Sequence, residues 1–184
     1  MPDPPDALAG EIRKAIQLQP GEGLFGVVDG AQDLALAFEA KCQYGWEIVN
    51  LFEGPMANAA ASVAPYIVPI HSDSGYLQNW ARHWGRNAGI LLTTAAAPEP
   101  LRAHLRRIFI AQDEQNQQYF FRYYDPRVLC TYLPTCTASE LAVFFGPIRS
   151  LLAEDPTGES LLCFSRGSAG LITNKIGPDQ WRGA

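Results

Sequence analysis

Apolar and polar positions recur along this chain with two periods, and the switches between them mark the expected elements. Leu8, Ile12, Ala15 and Ile16 follow i, i+4, i+7, i+8, one stripe of a helix that Asp6 can cap and Pro20-Gly21 ends. Leu24-Phe25-Gly26-Val27-Val28 is an apolar run of buried-strand length, broken by Asp29-Gly30. Residues 31–44 return to helical spacing, with Leu34, Phe38 and Cys42 on one stripe. A second strand is expected over 46–51, and the Ala-rich 56–63 predicts a short helix or turn that Ala64-Pro65 stops.

The same alternation continues downstream. Residues 66–70 read as a strand, and Leu77, Trp80, Ala81 and Trp84 mark one face of a helix. Gly89-Ile90-Leu91-Leu92-Thr93-Thr94 has the clearest buried-strand pattern of the chain. Residues 98–110 predict a helix with Leu101, Leu105 and Ile108 inward, and 119–121 a further strand. Thr137 with Glu140 three residues on has capping-box spacing, opening a helix that Gly146-Pro147 closes. Ser160 to Phe164 suggests a last strand, and the glycine-rich 166–184 is weakly patterned.

Strands separated by helices predict an α/β fold: a single layered domain with a largely parallel or mixed sheet flanked by helices. The division expected is an N-terminal helical segment over 1–20, one domain over 21–165 and a weakly structured tail over 166–184. A length of 184 residues with 47% apolar and 18% charged residues fits one folded core. The net charge of −5 argues against a broad nucleic-acid surface. No apolar run reaches the roughly 18 residues of a membrane span. The start, Met1-Pro2-Asp3-Pro4-Pro5-Asp6, lacks a signal-peptide pattern, which makes a cytoplasmic location the default expectation. Cys42, Cys130, Cys136 and Cys163 show no CxxC pairing and read as reduced, mostly buried thiols. With the three histidines also scattered singly, neither a metal nor another cofactor is expected.

Candidate chemistry is sparse. The strand-Asp29-Gly30-Ala31-helix turn resembles a ligand-binding turn of α/β folds, but GxGxxG and GxxxxGK[ST] are both missing, so Asp29 reads as a helix cap or an arginine partner. No GxSxG elbow accompanies His71, His83 or His104. His104 lies beside Leu101 and Leu105 and is expected to border the core, while His83 is off the apolar stripe and is expected to face solvent. Arg102, Arg106 and Arg107 form a basic strip on one helix, either a solvated face or a surface for an acidic partner.

The densest segment is Phe121-Arg122-Tyr123-Tyr124-Asp125-Pro126-Arg127-Val128-Leu129. Pro126 holds Asp125 extended and makes a rigid corner at a strand exit, where carboxylate and guanidinium can pair bidentately. Asp29 also stands at a strand end, within reach of Arg122 or Arg127 if the strands are neighbours. Two readings stay open: a buried salt-bridge latch, or a recognition corner with Tyr123 and Tyr124 as aromatic anchors and arginine as the charged one.

The order of these motifs resembles the Tap-type adaptor (effector chaperone) family of bacterial type VI secretion systems, long catalogued as a domain of unknown function. The pieces that carry the likeness include Phe25-Gly26-Val27-Val28-Asp29-Gly30-Ala31, Leu51-Phe52-Glu53-Gly54, Ala64-Pro65-Tyr66-Ile67-Val68, Trp84-Gly85, His104-Leu105-Arg106-Arg107, the Arg-Tyr-Tyr-Asp-Pro-Arg block and Phe144-Phe145-Gly146-Pro147. The resemblance runs from about Phe25 to Phe164. It implies a non-enzymatic adaptor that binds a cognate toxic effector and helps load it onto the spike protein, with no cofactor. Many members carry a further C-terminal region, so spike or effector contacts made there are expected to be absent or replaced here. The alternative is a small-ligand-binding or enzymatic α/β domain using Asp29, Arg122, Asp125 and Arg127. A third reading is a structural subunit that holds the spike without a client.

Overall fold

Strand β1 (Gly23–Asp29) is buried over most of its length and sits between two antiparallel neighbours, β3 (Pro65–Pro69) and β4 (Gly89–Thr94). A computed structural model describes residues 3–112 and 115–181 of the chain. Adding β2 (Val49–Asn50), β7 (Ile148–Glu154), β8 (Leu161–Arg166) and β9 (Leu171–Ile176) gives a seven-stranded sheet of order β2-β3-β1-β4-β7-β8-β9. Two further strands, β5 (Ile110–Gln112) and β6 (Gln118–Phe120), form a separate antiparallel ribbon.

Side chains alternate across the sheet, and each face is a core. Val28, Tyr66, Val68, Leu91 and Leu152 face the helices α1 (Pro4–Ile16), α2 (Leu34–Tyr44) and α4 (Tyr76–Arg82). Val27, Ile67, Ile90, Leu92 and Leu151 face α5 (Pro98–Phe109), α6 (Pro126–Tyr132) and α7 (Ala138–Phe145). A short helix, Gly54–Ala59, lies between β2 and β3; in the chain-order numbering it is α3. The layered α/β expectation holds, and the period-2 alternation explains why one strand feeds two cores.

The expected parallel or mixed sheet is overturned: every pairing in the sheet is antiparallel. The reason lies in the connections. Asp29 pairs with Pro65 and Thr94 with Ile148, so the excursions from β1 to β3 and from β4 to β7 return to the end of the sheet they left. Two connections cross over, β1 to β2 through α2 and β3 to β4 through α4, and each time another strand occupies the slot between them, so no parallel pair forms. A helix between two strands tells nothing about which end the chain re-enters.

Other local differences follow from competing contacts. β7 and α6 were not anticipated; the rigid corner at Pro126 is the first turn of a helix, with Asp125 as its cap. The segment read as a weakly structured tail contains β9, hydrogen-bonded to β8 along six residues. On α2 the buried face is Leu36, Ala37, Ala40 and Tyr44, while Leu34 and Phe38 of the expected stripe are exposed. Asp33, not residue 31, starts that helix by accepting from Leu36 N–H at 3.0 Å. Trp46 is in a 3-10 turn (Gly45–Glu47) rather than a strand. The capping box of Thr137 and Glu140 forms as its spacing predicts. The four cysteines are unpaired, with Cys42 exposed and the others half-buried rather than buried. Among the described residues no helix is long and apolar enough to cross a membrane.

Candidate functional site

Asp29 ends β1, and its carboxylate is buried at the rim of the sheet. One oxygen accepts the N–H groups of Ala31 and Gln32 at 3.0 and 3.3 Å, which fixes the turn out of the strand. The other accepts the Arg122 guanidinium at 2.5 Å. Arg122 also reaches Asp125 at 3.7 Å. Asp125 caps α6 by accepting from Arg127 N–H at 3.0 Å and pairs bidentately with the Arg127 guanidinium at 2.9 and 2.7 Å. Burial pushes the Asp125 carboxyl up, but the Arg127 contacts outweigh it and hold the group below its usual range. Both arginines keep about half of their side-chain surface in solvent.

The three charged residues of the Arg-Tyr-Tyr-Asp-Pro-Arg motif, Arg122, Asp125 and Arg127, therefore converge with Asp29 as one cluster. The tyrosines do not join it as surface anchors. Tyr123 and Tyr124 are buried in the α5–α7 core, and Tyr123 Oη donates to Leu105 O at 3.2 Å. The reason is local: Arg122 and Asp125 turn outward to the rim, which leaves the two residues between them to pack inward on Phe109 and Phe144.

The basic strip is divided in the same way. Arg106 donates to the carbonyls of Asn50, Leu51 and Phe52 and pairs with Glu53 at 2.5 Å, so it closes the outer edge of β2. Arg107 meets His104 Nδ1 at 3.0 Å, and Arg102 pairs with Glu99 at 3.2 Å. His104 borders the core as expected, with its other ring nitrogen 2.8 Å from Phe144 O, and burial holds its pKa below the ordinary value.

Two rim groups escaped the sequence reading. His83 is buried, not solvent-facing, and its Nδ1 lies 2.6 Å from Asp33 Oδ2. Glu154, at the end of β7, is buried against Gly85 N–H, and burial pushes its carboxyl up to about 7. Neither carries a local motif; the helix-cap preference for Asp at residue 33 was the one legible signal.

A second feature lies away from the rim. The β5–β6 ribbon continues from α5 through the Phe121 N–H to Phe109 O bond of 2.8 Å, and the rings of Phe109 and Phe120 stack at 4.9 Å. Ile110, Tyr119 and Phe120 nevertheless remain about half exposed. On one side is a groove of about 420 Å³ between α5 and α7, floored by Ile108, Phe121 and Phe144 with exposed Val143 at its wall. On the other is a cavity of about 190 Å³ with Phe52, Met56 and Phe109.

Residues 24–142 match the family described as Domain of unknown function (DUF4123). The chain belongs to that family. The DUF4123 stretch runs from β1 into α7 and contains the whole Asp29–Arg122–Asp125–Arg127 cluster and the β5–β6 ribbon. The strands β7, β8 and β9, which complete the sheet, fall outside the DUF4123 match. No curated protein and no solved structure matches the chain.

Proposed function

We propose that this chain is a non-enzymatic adaptor of a type VI secretion system, which binds a cognate toxic effector and helps load it onto the spike protein. The observation that carries this reading is the apolar surface built around the β5–β6 ribbon. Phe120 is 53% exposed and Val143 63%, and both border concave apolar surface. Exposed aromatics beside grooves are the surface a protein that captures an apolar client segment needs. Membership of DUF4123 and the order of the motifs support the pathway assigned. Asp29 and Asp125, the carboxylates of the alternative ligand site, are taken up by arginines and backbone N–H groups, which favours the latch role for that corner.

The test is co-expression with a candidate toxin and spike protein of the same secretion system, followed by deletion. A stable complex with the toxin and loss of its export on deletion are expected. Export that continues unchanged without this protein sinks the reading. Val143→Asp is expected to weaken toxin capture by about tenfold or more while leaving the melting temperature in place, whereas Phe120→Ser, which also loses the stack on Phe109, is expected to weaken capture and lower the melting temperature modestly.

A further inference from the structure

A cavity of about 500 Å³ opens on the α5 side of the sheet, beside the short strand β2. Its floor is Phe25 of β1, Val49 of β2, Ile67 of β3 and Leu101 of α5. These residues belong to, or pack against, the core that also holds Tyr123. The helical layer thus stops short of this corner of the sheet and leaves part of its core open. Trp46, from the turn after α2, stands on the cavity's wall and is 92% exposed.

The wall carries two carboxylates. Glu47 and Glu99 line the cavity together with the His71 ring, and among the described residues no lysine or arginine does. Glu47 contacts His71 and Glu99 contacts Arg102, each at 3.2 Å, yet the Glu99 side chain is 78% exposed and open to a further partner. The two cavities flanking the β5–β6 ribbon differ, since each has an arginine and a glutamate on its wall.

We propose that this cleft docks a short segment of a protein partner that carries a lysine or arginine beside an apolar side chain. The apolar residue covers Phe25, Ile67 and Leu101. The cation sits between Glu47 and Glu99, over the face of the Trp46 indole. Each half needs the other: a free cation leaves the apolar floor wet, and a plain hydrocarbon makes no use of the exposed Glu99 carboxylate. The net charge of −5 draws a basic partner and disfavours a second copy of this chain. Tryptophan and arginine are also among the residue types enriched where protein interfaces gain their affinity. The site is separate from the β5–β6 surface and does not depend on the identity of a secreted client.

The test is selection of a randomised octapeptide library on the full chain, with Trp46→Ala and the double variant Glu47→Gln/Glu99→Gln in parallel. Selected peptides are expected to share a lysine or arginine next to Leu, Ile, Met or Phe. Resynthesised, they should alter Trp46 fluorescence and bind each variant about tenfold or more weakly, with unchanged melting temperatures. The proposal is overturned if no peptide is selected, if the selected ones lack the cation–apolar pair, or if the variants bind them as the wild type does. It is also overturned if n-butylammonium competes as well as the peptides, because the site then takes a small cation alone. Toxin export reads the adaptor function separately, so failure of either idea leaves the other standing.

Discussion

Arg122 Nη2 lies 2.5 Å from Asp29 Oδ2, joining residues 93 apart in sequence and tying the start of α6 to the end of β1. Asp29 is 1% exposed, whereas Arg122 keeps 44% of its side chain in solvent. Removing the arginine therefore strands a buried carboxylate, while removing the acid frees a cation that water can hydrate. Arg122→Ala is expected to cost about 3 kcal/mol, the lower end for breaking a buried pair, because one partner is half hydrated. Asp29→Asn should cost less, about 1–2 kcal/mol, since its side-chain oxygen still accepts from Ala31 and Gln32. Urea denaturation of the two variants checks the order; equal costs would contradict the asymmetry.

Asp125 and Arg127 separate the latch from a recognition role. Asp125→Ala removes the α6 cap and both ion-pair bonds, an expected loss of about 2 kcal/mol or more. Arg127→Ala leaves the buried Asp125 carboxylate with the residue-127 N–H and the more distant Arg122, and should cost about 1–3 kcal/mol. Because the folded Asp125 carboxyl is held below its usual 3.8, its contribution is complete above that pH and fades as pH falls through the lower folded value. An Arg127→Ala protein that melts normally but no longer holds the partner proposed for this chain would show that this arginine grips that partner as well.

Glu154 works in the opposite sense. Unfolded, it releases its proton near 4.5; folded, burial delays release to about 7. Its effect on stability is thus flat below pH 4.5, turns unfavourable as pH rises towards 7, and is flat again above. The loss is on the order of 3 kcal/mol. Glu154→Gln keeps an oxygen for Gly85 N–H and is expected to be more stable than wild type at pH 8 and similar at pH 4. Melting temperature against pH for both proteins measures this.

Gly26 marks a close approach between layers. A Cβ there would lie 2.5 Å from Trp80 Cζ3, so the indole of α4 rests directly on the β1 backbone. Gly26→Ala is expected to cost about 1–3 kcal/mol by overpacking. Trp80→Leu in the same chain should recover part of that loss, and a double-mutant cycle by denaturant titration quantifies the coupling.

The chain's periodicity was enough to place most helices and strands, because an apolar stripe must be buried whatever covers it. Leu101 and Leu105 on α5, the buried run Ile90-Leu91-Leu92 and the capping box at Thr137 could all be read from spacing alone. So could the convergence expected of Asp29 with Arg122 or Arg127, since strand ends and a proline corner limit where those charges can go. What only the tertiary structure decided was direction and exposure. Strand sense depends on which end of the sheet an excursion re-enters, as the Thr94–Ile148 pairing shows, and no local pattern records that. The fate of each aromatic was equally non-local. Tyr123 and Tyr124 went into the core because the charges flanking them were needed at the rim, while Phe38, Trp46 and Phe120, just as apolar, were left without a covering layer. Burial is a property of the neighbours, and the neighbours come from distant parts of the chain.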